Sequence, residues 1–168
     1  MAAMNVEVRL LATGDDAIAA GAIVQQAFFA LPGYPRDDEY DLQLGDVAAR
    51  AQDAQVAFAD GRLVGCLTYV ADHHSVHAEF DDEQAAGFRY FGVDPCVQGA
   101  GVGEAMVQWC ITAACTDGRE RLRIHTLESM PSAQRLYLRI GFIRDEVNDV
   151  DWDGIKGLAF VYHLGVNG

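Results

Sequence analysis

The residues best suited to chemistry lie in one run, Gln98-Gly99-Ala100-Gly101-Val102-Gly103, where three glycines alternate directly ahead of a helical pattern. Glycine permits a tight turn and lets a ligand approach the backbone closely. Successive N–H groups at a helix N-terminus, aided by the helix dipole, hold anions. Phosphate binding is the chemistry this run predicts. Spacing excludes two well-known phosphate loops. A dinucleotide fingerprint needs G-x-G-x-x-G, but the third position is Glu104 counted from Gly99 and Met106 counted from Gly101. A nucleotide P-loop needs G-K-[ST], and the run holds no lysine. The structural alternative is a turn that only lets a strand and a helix pack closely.

Other clusters promise less. His73 and His77 stand four apart, as two ligands on one helix face would, yet nothing in the stretch argues for a helix or supplies a third ligand. Asp149-Val150-Asp151-Trp152-Asp153-Gly154 reads like the start of a calcium loop. The twelfth position of that loop should be a bidentate Glu, and here it is Phe160. No metal is expected. The four cysteines make no C-x-x-C pair and no zinc spacing. Cys66, Cys110 and Cys115 fall in apolar-patterned stretches and read as core residues, whereas Cys96 sits in the glycine loop.

The elements that must position these residues follow from periodicity and punctuation. Val6 to Leu11 alternates like a strand. Asp15 and Asp16 supply N-cap chemistry for an alanine-rich helix ending near Leu31. Pro32 to Pro35 must be loop, and Asp37 to Gln52 reads as a weaker helix. Ala54–Ala59 and Arg62–Ala71 are strands joined by Asp60-Gly61, a strong hairpin signal. A polar connection over 72–87 leads to a strand at Phe88–Val93, the glycine loop, and a helix over Gly103–Ala114. Arg121–Leu127 is a strand, and Pro131 and Gly141 bracket a short amphipathic helix. Two last strands, near Phe142–Val147 and Leu158–Leu164, flank an acidic loop. This order implies an α/β (α+β) chain with a mixed, mostly antiparallel central sheet of about seven strands and helices on both faces.

A length of 168 residues predicts one domain over 1–168. Twenty-five acidic residues against twelve basic ones, with Lys156 the only lysine, give a formal net charge of −13. Such a surface repels a phosphate backbone, so nucleic acid is not an expected partner. It favours cationic partners, amines included, although solubility alone also accounts for it. No apolar run approaches a membrane span, so no membrane partner is expected either, and reduced thiols fit a cytoplasmic protein.

Two signatures carry a resemblance. Q-x-x-G-x-G with the lead-in Val93-Asp94-Pro95 resembles the acyl-CoA pyrophosphate loop of the GNAT superfamily of N-acetyltransferases. Glu128 to Phe142 resembles that family's A-x-x-L-Y-x-x-x-G-F helix, with Ala133, Leu136, Tyr137, Gly141 and Phe142 at the matching places. The order of elements is similar along nearly the whole chain, which implies the acyl-CoA N-acyltransferase fold.

The resemblance implies roles for particular residues. Backbone at Phe91, Gly92 and Val93 would pair with the pantetheine arm of acetyl-CoA, and N–H groups from Gln98 through Gly99, Ala100, Gly101, Val102 and Gly103 would hold its pyrophosphate. Ala133 and Tyr137 lie on the helix that flanks the cofactor, with Tyr137 as general acid toward the leaving thiolate. A backbone N–H near Val93 would face the thioester oxygen. One departure stands out: many relatives carry Asn where this chain has Met130. The general base does not carry over; His77, Glu79 and Glu83 are candidates, with Glu79 preferred as catalytic base. Asp151 and Trp152, in the loop that often borders the acceptor, would meet a cationic amine. The implied activity is acetyl transfer to a primary amine, either a small molecule or a peptide N-terminus, and homodimers are common in the family. A non-catalytic acyl-CoA-binding module and a protein N-terminal acetyltransferase stand as alternatives.

Overall fold

A computed structural model describes residues 4–165. The chain divides into two compact units, one running to Tyr69 and resuming over Tyr90–Trp109, the other comprising Val70–Arg89 and the chain from Cys110 onward.

In the first unit the strand order is β1 (Val6–Leu10), β2 (Ala54–Ala59), β3 (Arg62–Val70) and the end of β4 (Ala85–Val93). β1 and β2 pair antiparallel from Val6↔Ala59 to Leu10↔Gln55. The β2–β3 hairpin turns on Asp60 at φ +50° and Gly61 at φ +82°, the double left-handed geometry that a two-residue hairpin demands. Helix α1 (Ala17–Phe29) starts where the Asp16 carboxylate accepts the N–H groups of Ile18 and Ala19, as the sequence predicts. It lies so close to β4 that a Cβ on Gly92 would stand 2.7 Å from Val24 Cα. On β2, the Gln55 side chain reaches the Met106 carbonyl of helix α3 (Val102–Thr116) at 3.3 Å.

The expected weak helix over 37–52 is two pieces, α2 (Asp38–Gly45) and a 3₁₀ stretch over Ala48–Asp53. Arg50 accounts for the break. Its buried guanidinium donates to the carbonyls of Gln43, Leu44 and Asp46, the C-terminal carbonyls that a continuing helix would use itself.

In the second unit the order is β4, β5 (Arg121–Leu127), β8 (Ile155–His163) and β6 (Ile143–Arg144), with β7 (Val150–Trp152) also on β8. The parallel β4–β5 ladder has the two rungs Ala85↔Arg121 and Ala86↔Leu122, whereas β5 and β8 pair antiparallel from Arg121↔His163 to Leu127↔Gly157. Helix α4 (Pro131–Ile140) runs from its proline to Gly141 at φ +124°, and the Tyr137 carbonyl accepts the N–H groups of Gly141 and Phe142 to close it.

The sheet is mixed, mostly antiparallel and eight-stranded. The strand beyond the expected seven is β7, inside what the sequence suggests is an acidic loop. Asp153 at φ +51° and Gly154 at φ +90° repeat the Asp60-Gly61 turn and fold Val150–Trp152 back on β8. Further boundaries differ, among them the start of β8 at Ile155 where Leu158 is expected. β4 begins at Ala85 because Ala85, Ala86 and Phe88 are buried beside β5, and β6 is only two residues long. Cys66 and Cys110 are buried as expected, but Cys115 is exposed, because the buried face of α3 runs through Val102, Met106, Val107, Cys110 and Ala114.

Candidate active site

The glycine loop is closed by its own side chains. β4 ends at Val93, Asp94 Oδ1 accepts the Cys96 N–H at 2.9 Å to cap a 3₁₀ turn over Pro95–Val97, and Gln98 Nε2 donates back to the Val93 carbonyl at 3.3 Å. Gly99 and Gly101 then take φ of +86° and +89°, in the left-handed region, and a Cβ on either would meet nothing within 4 Å. At these two positions the structure shows no close packing. Glycines kept for close packing are crowded, whereas these face open space and supply only backbone geometry and clear approach. The Gly101 carbonyl accepts the Ala105 N–H at 3.1 Å, which opens α3. The N–H groups of Val102 and Gly103 therefore precede the first intrahelical donor, the Ala105 N–H, at the positive end of a fifteen-residue helix.

Upstream of the loop, Tyr90 sits at φ +53° in the middle of β4. A bulky residue there costs of order 1–3 kcal/mol and persists only where its surroundings hold it. The Arg50 guanidinium lies 4.2 Å over its ring, with the Tyr40 ring at 6.3 Å. Phe91, Gly92 and Val93 thus follow directly from a strained, braced residue.

The second unit carries a cleft of about 560 Å³, walled by residues 79–83, β5, β8 and the segment 145–150. Six carboxylates line it, and most are already engaged. Asp82 bridges Arg121 at 2.8 Å and Arg123 at 2.6 Å, Asp145 takes the other side of Arg123 at 2.6 Å, and Asp149 pairs with Arg144 at 2.8 Å. The Arg144 and Ala159 N–H donors hold the Asp149 carboxyl well below the usual carboxylate range. Asp151 is occupied as well, accepting the Gly154 N–H at 2.5 Å to shape the β7–β8 turn.

At one wall of the cleft three segments converge on His125. Its Nε2 meets the Asn148 carbonyl at 2.9 Å, its Nδ1 lies 3.5 Å from Glu79 Oε2, and the Trp152 ring packs edge-on at 5.9 Å. Glu79 Oε1 pairs with Arg89 at 3.1 Å. Burial works against a charged imidazole, but the Glu79 carboxylate, the Asn148 carbonyl and the charge of Asp149 outweigh it, and the His125 pKa is raised.

Tyr137 is buried among Phe88, Phe142 and Phe160, with ring centroids at 5.9, 5.5 and 6.0 Å. Burial pushes its phenol pKa up, so it stays protonated, and no side chain or carbonyl among the described residues hydrogen-bonds its hydroxyl. Ala133, one turn earlier, is half-buried. Met130 occupies the N-cap position of α4 and supplies no capping hydrogen bond. Burial pushes the Cys66 thiol up to about 12. Among the described residues no group of three His, Cys, Asp or Glu side chains could hold a metal, and no helix is long and apolar enough to cross a membrane.

The residues expected from the sequence thus fall in three places. Phe91–Val93 and Gln98–Gly103 form one continuous segment, Ala133 and Tyr137 share α4, and Glu79 and Trp152 flank His125. Asp151 turns to its own hairpin. Glu83 lines the cleft with Glu79, whereas His77 does not. Sequence reasoning passed over His125. Its signal was the polar row Arg121, Arg123, His125, alternating with buried Leu122, Ile124 and Thr126.

Comparison with known proteins bears on family and fold. The sequence model of the acetyltransferase (GNAT) family matches residues 22–142. The chain belongs to that family. No curated protein matches it in sequence. Among solved structures, protein yncA of Salmonella typhimurium, determined with its cofactor acetyl-CoA, superposes with a TM-score of 0.67 at 19% identity, over 96% of this chain and 95% of its own. The N-acetylglutamate synthase of Neisseria gonorrhoeae, complexed with coenzyme A and N-acetyl-glutamate, gives 0.68 at 18% identity over 96% of this chain and 35% of its own. An N-acetyltransferase from Staphylococcus aureus Mu50 gives 0.66 at 16%, over 96% and 99%. These likenesses establish the acetyltransferase fold.

Proposed function

We propose that this GNAT protein is an acetyl-CoA-dependent N-acetyltransferase that moves the acetyl group directly to a primary amine. The observation that carries the reading is the open-faced turn at Gly99 and Gly101 ahead of α3, which presents N–H groups to an anion with no side chain in the way. Similar proteins solved with acetyl-CoA or coenzyme A point the same way. In this reading the N–H groups from Gln98 to Gly103, other than that of Ala100, which donates to the Val97 carbonyl at 3.2 Å, hold the pyrophosphate, and the backbone of Phe91–Val93 lies along the pantetheine arm.

The chemistry follows from the groups present. The amine nitrogen attacks the thioester carbonyl carbon, and a backbone N–H near Val93 steadies the developing oxyanion. The C–S bond breaks, the thiolate takes the Tyr137 phenolic proton, and the surplus proton of the amine passes to Glu79. Tyr137 suits its part because it is held neutral and its hydroxyl is uncommitted. Asp82, Asp145 and Asp149 pair with arginines, as Glu79 does with Arg89; this reading offers an acceptor Glu79 in the cleft beside His125, with Trp152 and Asp151 on the β7–β8 hairpin. A cytoplasmic location, where acetyl-CoA is made and used, belongs to the same proposal.

Thiol release from acetyl-CoA is the test, run with polyamines, amino acids, aminoglycosides and peptides with free N-termini. Steady release above thioester hydrolysis with one of these classes supports the proposal and names the acceptor; release with peptides alone makes it a protein N-terminal acetyltransferase. Acetyl-CoA binding without release in any case would make the chain a non-catalytic binding module. Absence of binding would overturn both.

A further inference from the structure

We propose that His125 is a positioning residue for Glu79, tying the carboxylate to the cleft wall while a proton sits on Nδ1 and releasing it when that proton leaves. The inference rests on the reading of Glu79 as the base in acetyl transfer.

The argument is one of donors and acceptors. The His125 side chain is only 7% exposed, so water cannot serve its ring nitrogens freely. Nε2 faces the Asn148 carbonyl at 2.9 Å, and a carbonyl can only accept, so Nε2 carries a hydrogen in either charge state. Nδ1 must then take up any change of protonation. It is buried, it makes no hydrogen bond, and at 3.5 Å it confronts Glu79 Oε2. With a proton on Nδ1 this contact joins opposite charges. Without it, a nitrogen lone pair faces a carboxylate oxygen, the contact turns repulsive, and Glu79 swings free on the Arg89 side at 3.1 Å. Loss of the Nδ1 proton thus decides whether the Glu79 carboxylate is tied to the wall or free to turn toward an acceptor.

Among the described residues, the charges that act on the ring are those of Glu79 and Asp149. Glu79 comes from the segment before β4, with Arg89 of β4 behind it, and Asp149 follows Asn148. On β5 itself Arg123 is held between Asp82 and Asp145. The raised pKa of His125 places the change above 6.5.

Two readouts test this without reference to activity. Ring NMR of the intact protein should show His125 titrating above 6.5 in the wild type and at a lower pH in Glu79→Gln. Trp152 emission, recorded in a Trp109→Phe background, should rise with the same midpoint as the imidazolium beside it loses its quenching charge, and His125→Gln should abolish the rise. A wild-type His125 that titrates at or below 6.5, or a midpoint unmoved in Glu79→Gln, would overturn the pairing. A third arm separates the inference from the reading beneath it. If Glu79 is the base, the acid limb of kcat/KM shares the His125 midpoint and moves with it. If the ring and Trp152 titrate together while the limb lies elsewhere, the pair stands and Glu79 is removed from the chemistry.

Discussion

Tyr137 and Met130 show how much a single atom decides here. The Tyr137 ring belongs to an aromatic cluster with Phe88, Phe142 and Phe160, and its hydroxyl bonds to nothing among the described residues. Tyr137→Phe therefore keeps the packing and removes only the proton. Turnover should fall by about 10²–10⁴-fold, the usual worth of a positioned general acid, with KM for acetyl-CoA and the melting temperature nearly unchanged. Steady-state kinetics beside a thermal melt would check this, and unchanged turnover would take Tyr137 out of the mechanism. Met130 presents the opposite case, a position where a side chain withholds something. It stands at the N-cap of α4 at φ −111° and ψ 65°, makes no cap, and offers only its sulfur to Thr126 Oγ1 at 3.4 Å. Met130→Asn should supply the missing cap, worth about 1 kcal/mol. The same amide would restore the side-chain contact that many relatives make to the cofactor arm. A rise in melting temperature together with a lower KM for acetyl-CoA is the expected result; a rise in stability alone would mean that only the helix gained.

Elements, in contrast to single residues, can be probed by exchanging glycines that share a conformation and differ in place. Gly99 and Gly101 lie at positive φ with open space around them, and so does Gly14 at φ +98°, in the turn before α1. An alanine at any of the three pays the left-handed penalty, roughly 1–2 kcal/mol, with no clash. Gly99→Ala and Gly101→Ala should weaken acetyl-CoA binding by about tenfold, because the turn that aims the N–H groups relaxes. Gly14→Ala should cost similar stability and leave affinity alone; calorimetric titration of all three separates geometry from stability. The loop was legible in the sequence because its signal is local: a proline lead-in and three glycines over Pro95–Gly103, directly ahead of a helical repeat. Hairpins at Asp60-Gly61 and the bounds of α4 were legible for the same reason. β7 was obscured because its five neighbouring acids outweighed a two-residue turn signal identical in kind to Asp60-Gly61. The split of α2 was not legible, since it depends on where the Arg50 side chain lands seven residues from Gln43. His125 was hidden for a different reason. Its role comes from residues 46 positions before it and 23 after, and a strand pattern records which face a side chain takes, never what meets it there.

Across the whole molecule, charge sets a pH window for stability that can be derived from groups of both signs. Asp15, held by Arg9 and the Ala12 N–H, is depressed to about 2, and Asp41, Asp82 and Asp149 are depressed by their own arginines and N–H donors. A depressed carboxyl contributes stability that is complete above its ordinary value of 3.8 and lost as pH falls through the folded value. For Asp15 that loss runs down to about 2. His125 acts in the other sense. Its folded pKa is raised, so its contribution is complete below 6.5 and disappears as pH climbs through the folded value. The formal charge of −13 at pH 7 adds self-repulsion on the alkaline side, relieved toward the isoelectric point near 4.5. Both terms favour mildly acidic conditions. The melting temperature should therefore peak between about pH 4 and about pH 6.5 and decline on either side. Salt distinguishes the causes. On the alkaline side, added salt should raise the melting temperature by screening repulsion. The step owed to His125 should survive in high salt, because the ring and Glu79 are partly or wholly buried. His125→Gln should remove that step and leave the salt-sensitive slope in place. Scanning fluorimetry of the two proteins at low and high salt, in dilute solution to avoid precipitation near the isoelectric point, measures each part. An alkaline decline that salt abolishes entirely would show that self-repulsion alone sets the upper edge of the window.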